Sequence, residues 1–228
     1  MLDPDPTTLL SKNAIFSRLE GAELKGLMEM SSLRSYGKGE SVALYGDRWP
    51  YLLLILEGEV RAVKESAEGR RLLVSSFGPG EVFWGLTFFD EEAPMPVTLE
   101  AQSPCSVLLW ARERILPVLL AHGDMGWELC RLMSIRMSRA SAILEEMAFQ
   151  PVAGRLAGFL MGLSPELDSP IARSFTLDDI AARVGSTREV VCRFLQRFAD
   201  QGMIEITRTE FAITDREKMG ELARQVKG

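Results

Sequence analysis

Histidine is nearly missing from this chain: His122 stands alone among 228 residues. Enzymes of the cupin type hold a metal with clustered histidines and carboxylates on strands, so one histidine, off the candidate strands, argues against that chemistry. Cysteine is scarce as well. Cys105, Cys130 and Cys192 lie far apart in the sequence. They make no disulfide framework, and an iron–sulfur cluster needs about four such ligands. No apolar run reaches the ~18 residues of a membrane span. The opening MLDPDPTTLL carries two acids and no cation ahead of its apolar residues, unlike a secretory signal. Neither a nucleophile motif nor a phosphate loop occurs. The expectation is a cytoplasmic, soluble protein with no membrane partner. It is not an enzyme, and no catalytic residue, metal site or cofactor is predicted.

What is present suffices for one large or two modest domains, at 46% hydrophobic content. The net charge of -6 speaks against nucleic acid until the chain is divided. Residues 1–150 hold 15 basic and 21 acidic residues, whereas residues 151–228 hold 11 of each. Within the second part, Arg183, Arg188, Arg193 and Arg197 face a single acid, Glu189. A local basic patch is what phosphate contact needs, and this one is modest.

Residues 1–115 alternate short β-rich runs with glycine turns. YLLLILEGEVRAV turns at Glu57–Gly58, RRLLVSSFGPGEVF turns at Gly78–Gly80, and VTLEAQSPCSVLLW breaks at Ser103–Pro104. Such spacing predicts antiparallel hairpins closing into a small barrel or jelly roll, preceded by a helix over 21–30. Residues 116–150 predict a long helix. Cys130, Met133, Met137, Ala140, Leu144 and Met147 recur at alternating steps of three and four, the spacing of a dimer seam. A helix packed on its own domain is the other reading of that stripe. Pro151 marks a hinge. Residues 151–228 then read as a helix, two further helices about a turn at Gly185, and a two-stranded wing over 204–214. Thr176 with Asp179, and Ser186 with Glu189, both have capping-box spacing.

The stretch STREVVCRFLQRFADQ carries the sharpest signal. At about 100° per residue, Arg188, Glu189, Cys192, Arg193, Gln196 and Arg197 share one face, while Val190, Val191, Phe194, Leu195 and Phe198 share the other. In a helix–turn–helix the start of the second helix enters the major groove. Arginine bonds guanine bidentately and glutamate accepts from the cytosine amino group. The polar face can therefore read G·C pairs; a solvated face with Glu189 closing a cap is the plainer alternative.

Here the chain resembles the cyclic-AMP receptor protein/FNR (CRP/FNR) family of bacterial transcription regulators. The resemblance spans nearly the whole chain and is most specific in DDIAARVGSTREVVCRFLQRFADQGMI. It implies an α+β fold: an N-terminal double-stranded β-helix (jelly roll, cyclic-nucleotide-binding-like) over 1–115, a dimerisation helix and hinge over 116–150, and a C-terminal winged helix-turn-helix over 151–228. It implies a homodimer on double-stranded DNA with RNA polymerase as partner. Thr187, Arg188, Glu189 and Arg193 fall on the contacting positions, with Gln196, Arg197, Thr176 and Arg208 beside them. The implied half-site is similar to TGTGA, in an inverted repeat.

The β-roll departs from the cyclic-nucleotide binders. Where they carry Gly-Glu for the ribose, this chain has Trp84–Gly85, and where they carry Arg-Ser for the phosphate it has Met95–Pro96. The base-contacting Thr-Ser pair reads Ala140–Ser141. Asp90, Glu91 and Glu92 add negative charge, and an anion buried without a partner is costly. Control by cyclic AMP is therefore not expected. An effector pocket would be lined by Phe83, Trp84, Leu86, Phe88 and Met95, with Val82, Phe89 and Ser141 nearby. Such a lining suits an uncharged ligand, an aromatic acid or a haem; the same residues could simply fill the barrel. A ligand- or haem-responsive sensor of the same fold is the alternative reading. His122 is expected to be a surface or helix-end residue; an oxidised Cys192 would obstruct DNA docking, and an inert small residue is the plainer reading of that cysteine.

Overall fold

The computed structural model describes residues 6–164, 171–172, 175–207 and 210–225. The chain forms two compact units, Met1–Lys64 with Val74–Ser138, and Glu65–Leu73 with Arg139–Gly228.

The first unit opens with helices α1 (Pro6–Lys12) and α2 (Ala22–Glu29). Eight strands follow along the chain: β1 (Ser32–Tyr36), β2 (Ser41–Ala43), β3 (Tyr51–Glu57), β4 (Val60–Glu65), β5 (Arg71–Phe77, whose first three residues are grouped with the second unit), β6 (Val82–Trp84), β7 (Thr98–Ala101) and β8 (Cys105–Ala111). They make two four-stranded sheets, ordered β1-β8-β3-β6 and β2-β7-β4-β5, in which β8 pairs antiparallel with β1 and β3, β3 with β6, and β7 with β2 and β4. This is the expected jelly roll. The β3–β4 turn needs Gly58: its φ is 77°, and a Cβ there would lie 2.3 Å from the Pro104 carbonyl oxygen.

The run YLLLILE reads as continuously apolar because β3 is buried on both faces. Leu53 and Ile55 point between the sheets, into a core with Val60, Phe83, Met95, Leu99 and Val107. Leu52, Leu54 and Leu56 point the other way, into a core with Phe16, Leu27, Trp84, Phe88 and Trp110. Trp110 donates its indole N–H to the Leu27 carbonyl at 2.7 Å, which satisfies the one polar atom of a fully buried ring.

The helix expected over 116–150 is two helices. α3 (Arg112–Ala121) contains Pro117, and α4 runs from Gly123 to Phe149. His122 between them is extended (φ -116°, ψ 93°). Its Nε2 lies 3.4 Å from Glu23 Oε1. Gly123 is a weak helix former and Asp124 suits a helix N-terminus, so the break has a local cause that apolar periodicity hides. Among the described residues, no helix is long and apolar enough to cross a membrane.

The second unit contains α5 (Val152–Leu163), β9 (Ile171–Ala172), α6 (Leu177–Val184), α7 (Arg188–Asp200), β10 (Ile204–Ile206), β11 (Glu210–Ile213) and α8 (Arg216–Arg224). The wing has a third strand: the sheet order is β10-β11-β9. Leu156, Leu160, Ile180, Val184, Val191, Leu195, Phe198 and Met219 form its core.

Candidate nucleic-acid interface

α6 starts at a complete capping box. Thr176 Oγ1 accepts from the Asp179 N–H at 3.1 Å, and the Thr176 N–H donates to Asp179 Oδ2 at 2.9 Å. It ends at Gly185, which is left-handed at φ 60°, ψ 48°. The expected second box does not form. Thr187, not Ser186, caps α7, its hydroxyl accepting from the Val190 N–H at 3.4 Å. The Ser186 N–H instead donates to the Ala181 carbonyl and closes α6. Turn geometry moved the cap by one residue, so Glu189 is not tied back to Ser186. The N–H of its own backbone and the Thr187 hydroxyl hold its carboxyl below the usual glutamate range.

The two faces of α7 separate as expected. Arg188, Glu189, Cys192, Arg193, Gln196 and Arg197 are exposed, Val191, Leu195 and Phe198 are buried, and Val190 and Phe194 are half-buried. Arg188 Nη1 lies 3.4 Å from Asp178 Oδ2 in the first turn of α6. Both side chains are well exposed, so this pair is weak and exchangeable. Gln196 donates to Asp200 Oδ1 at 2.9 Å. Arg197 lines a groove of about 540 Å³ with Lys218 and Glu221 of α8. Arg208 lies outside the described residues.

α4 carries two stripes. Met125 and Leu129 are buried, and Leu132 packs against the same core. Of the expected seam, Cys130, Met133, Met137, Ala140 and Leu144 are exposed, with Met137 at 72% and Leu144 at 70%. Met147 is half-buried. The expected stripe is thus mostly open rather than packed on its own domain; the stripe that packs is a different one, Met125, Leu129 and Leu132.

The expected effector lining is not one surface. Phe83 and Met95 belong to the core between the sheets, Trp84 and Phe88 to the core under the helices, and Leu86 and Phe89 are about half exposed. Ser141 is exposed on α4. At Gly85 a Cβ would sit 2.7 Å from the Trp49 carbonyl oxygen and 2.8 Å from Met95 Sδ. The acids expected to repel an anion are partly neutralised. Glu91 pairs with Arg112 at 2.9 Å, and Glu92 pairs with Arg48. Arg136 of α4 stands 4.1 Å from the Trp84 ring centroid and 5.1 Å from that of Phe77, and donates to the Val82 carbonyl on edge strand β6.

Sequence reading missed Asp178, Arg136 and Arg155. Asp178 meets Arg188 only through the turn between their helices. For Arg155 there was a signal: an arginine within the apolar run VAGRLAGFLMGL is unusual unless it has partners.

The pattern of the cyclic nucleotide-binding domain matches residues 33–122, and that of the Crp-like helix-turn-helix domain matches residues 154–222. The chain is 25% identical over 224 residues to a CRP-like cAMP-activated global transcriptional regulator of Mycobacterium tuberculosis, covering 95% of this chain and 99% of that one. It is 24% identical to the cyclic AMP receptor protein of Thermus thermophilus, covering 84% and 88%. Among solved structures it is similar to the c-di-GMP responsive regulator CLP of Xanthomonas campestris (TM-score 0.71, 22% identity, 83% and 97% covered). It is also similar to FixK2 of Bradyrhizobium japonicum (TM-score 0.65, 22% identity, 84% and 96% covered).

Proposed function

The chain belongs to the CRP/FNR family of DNA-binding transcription regulators, and from that premise we propose that it acts as a cytoplasmic homodimer on an inverted repeat of TGTGA-like half-sites, without control by cyclic AMP. The observation that carries this reading is the open face of α7. Arg188, Glu189 and Arg193 stand exposed on a helix whose other side is packed and whose start is capped. Arg188 and Arg193 suit guanine, and Glu189, kept ionised, suits the cytosine amino group. Thr187 and Thr176, at helix N-termini, suit phosphate. Gln196 and Arg197 continue the same face. The exposed stripe of α4 supports the dimer, since methionine and leucine at heptad spacing gain by burial against a second copy.

Independence from cyclic AMP is supported by packing rather than by charge. Trp49 and Met95 close over Gly85, the position where a ribose-binding glutamate would stand. Met95, at the place of the phosphate-binding arginine, is fully buried. The two relatives named for cyclic AMP are each about one quarter identical to this chain, which leaves room for that divergence. Residues 1–115 serve as the sensor-derived domain, 116–150 as dimer helix, and 151–228 as reader, with RNA polymerase as the partner the family implies. The test is selection of bound sequences from a random DNA pool by purified, ligand-free, reduced protein. Recovery of the inverted repeat is expected, and adding cyclic AMP should leave affinity unchanged. A chain that selects DNA only with cyclic AMP present overturns the second half of the reading; one that selects none under either condition overturns the first.

A further inference from the structure

α4 ends at Phe149 and α5 begins at Val152, with Pro151 between them. Taken alone, that joint is a hinge. Arg155 crosses it. Its Nη1 donates to the Gln150 carbonyl at 2.6 Å and to the Glu146 carbonyl at 3.4 Å, and its Nε donates to the Val184 carbonyl at 2.8 Å. Glu146 lies in the last turn of α4, Gln150 directly follows that helix and closes it by donating to the Glu146 carbonyl, and Val184 is the last residue of α6. Carbonyls at helix C-termini run short of partners within the helix and carry its negative end. One guanidinium therefore joins the negative ends of two helices. Arginine has the donors for this in a fixed planar fork, whereas lysine is a point charge on a flexible stem.

Arg155 is 8% exposed, so the cation has been taken out of water to make these bonds. Its companion contact is apolar. Met147 of α4 packs so closely on Gly185 that a Cβ there would lie 2.7 Å from its sulfur. The two contacts connect the end of α4, and the residue that follows it, to the end of α6 and the turn between α6 and α7.

We infer that Arg155 is a positioning residue for DNA recognition: it locks the reading helices to the end of the dimer helix, so that the spacing of the two recognition helices is built into the chain. The inference rests on the homodimer reading proposed above. Its physical content is geometric. Moving one half-site by a base pair turns it by about a tenth of a helical turn on the DNA. A rigid joint rejects that change, and a loose one follows it at the cost of ordering itself on binding.

The experiment compares the wild-type chain with Arg155→Met, which keeps most of the stem and removes the donors, and Arg155→Lys, which keeps the charge. Each is measured on the selected operator, on operators lengthened or shortened by one base pair, and on an operator with one half-site scrambled. Thermal melts check folding, and if Arg155→Met does not fold, Arg155→Lys is read in the same comparisons. The expected result for Arg155→Met is a loss of about tenfold or more on the best operator. Discrimination among spacers should flatten, and affinity for the single half-site should stay within about twofold. Arg155→Lys should fall between. Equal losses on operator and half-site would mean that Arg155 only maintains the reading domain, and would overturn the inference. So would a folded variant that keeps full affinity and sharp spacing. A wild-type chain that binds none of these DNAs overturns the reader itself, and this inference with it.

Discussion

Replacing Gly185 by alanine tests the turn that presents α7. The residue sits at φ 60°, ψ 48°, where an L-residue with a Cβ costs roughly 1 kcal/mol or slightly more. The new methyl would also lie 2.7 Å from Met147 Sδ and 2.8 Å from its Cε, both closer than carbon and sulfur tolerate. Those atoms are at the end of a flexible side chain, so Met147 swings aside, losing packing worth about 1 kcal/mol. Leu72, at 3.5 Å, is in ordinary contact and need not move. The sum is about 2 kcal/mol of destabilisation of the second unit. The two contributions can be separated. In a Met147→Ala background the steric part vanishes, so Gly185→Ala should then cost only about 1 kcal/mol, a coupling of about 1 kcal/mol. Gly185→Asn should show the steric part with less of the backbone part, because asparagine tolerates the left-handed region. The assay is urea unfolding followed by far-UV circular dichroism, since Trp49, Trp84, Trp110 and Trp127 all lie in the first unit. An unchanged midpoint for Gly185→Ala would refute the argument from strain. An equal cost in both backgrounds would refute the argument from Met147.

Arg188→Ala should relax discrimination at one guanine by ~1–3 kcal/mol while leaving other positions sharp; an equal loss on every DNA sequence in competition binding would make Arg188 a phosphate contact instead. Met137→Asp should leave each chain folded, since Met137 is exposed there, yet convert the protein to monomer in sedimentation velocity; a persistent dimer would remove α4 from the interface. Glu189 has a depressed folded pKa, set first by its own backbone N–H and then by Thr187. The contribution of its carboxylate is therefore present above the ordinary glutamate range and is lost as pH falls through the lowered value. A carboxyl NMR titration of Glu189 should show it ionised into more acidic solution than a free glutamate, and Thr187→Val should move it back up; an ordinary midpoint in the unaltered chain would contradict the cap geometry.

Much of this molecule is legible in its sequence. The hairpins of the jelly roll follow from turn residues between β-rich runs, and the two faces of α7 follow from a 3.6-residue period. Both are local signals: a strand or helix writes its burial into its own sequence. The capping box of Thr176 and Asp179 is equally local, three residues across. What was illegible is what the chain brings together from a distance. The division of Phe83 from Trp84 into separate cores depends on which face of β6 meets which layer. The cap at Thr187 rather than Ser186 depends on the dihedral angles of the Gly185 turn. The break at His122 was masked by apolar spacing that continues on both sides of it. Arg155 shows the difference most plainly. Sequence presents one arginine in an apolar helix, a charge with no visible reason. Only tertiary packing supplies the carbonyls that hold it, because the two helix ends they belong to are 34 residues apart, from Gln150 to Val184, and meet through the fold alone.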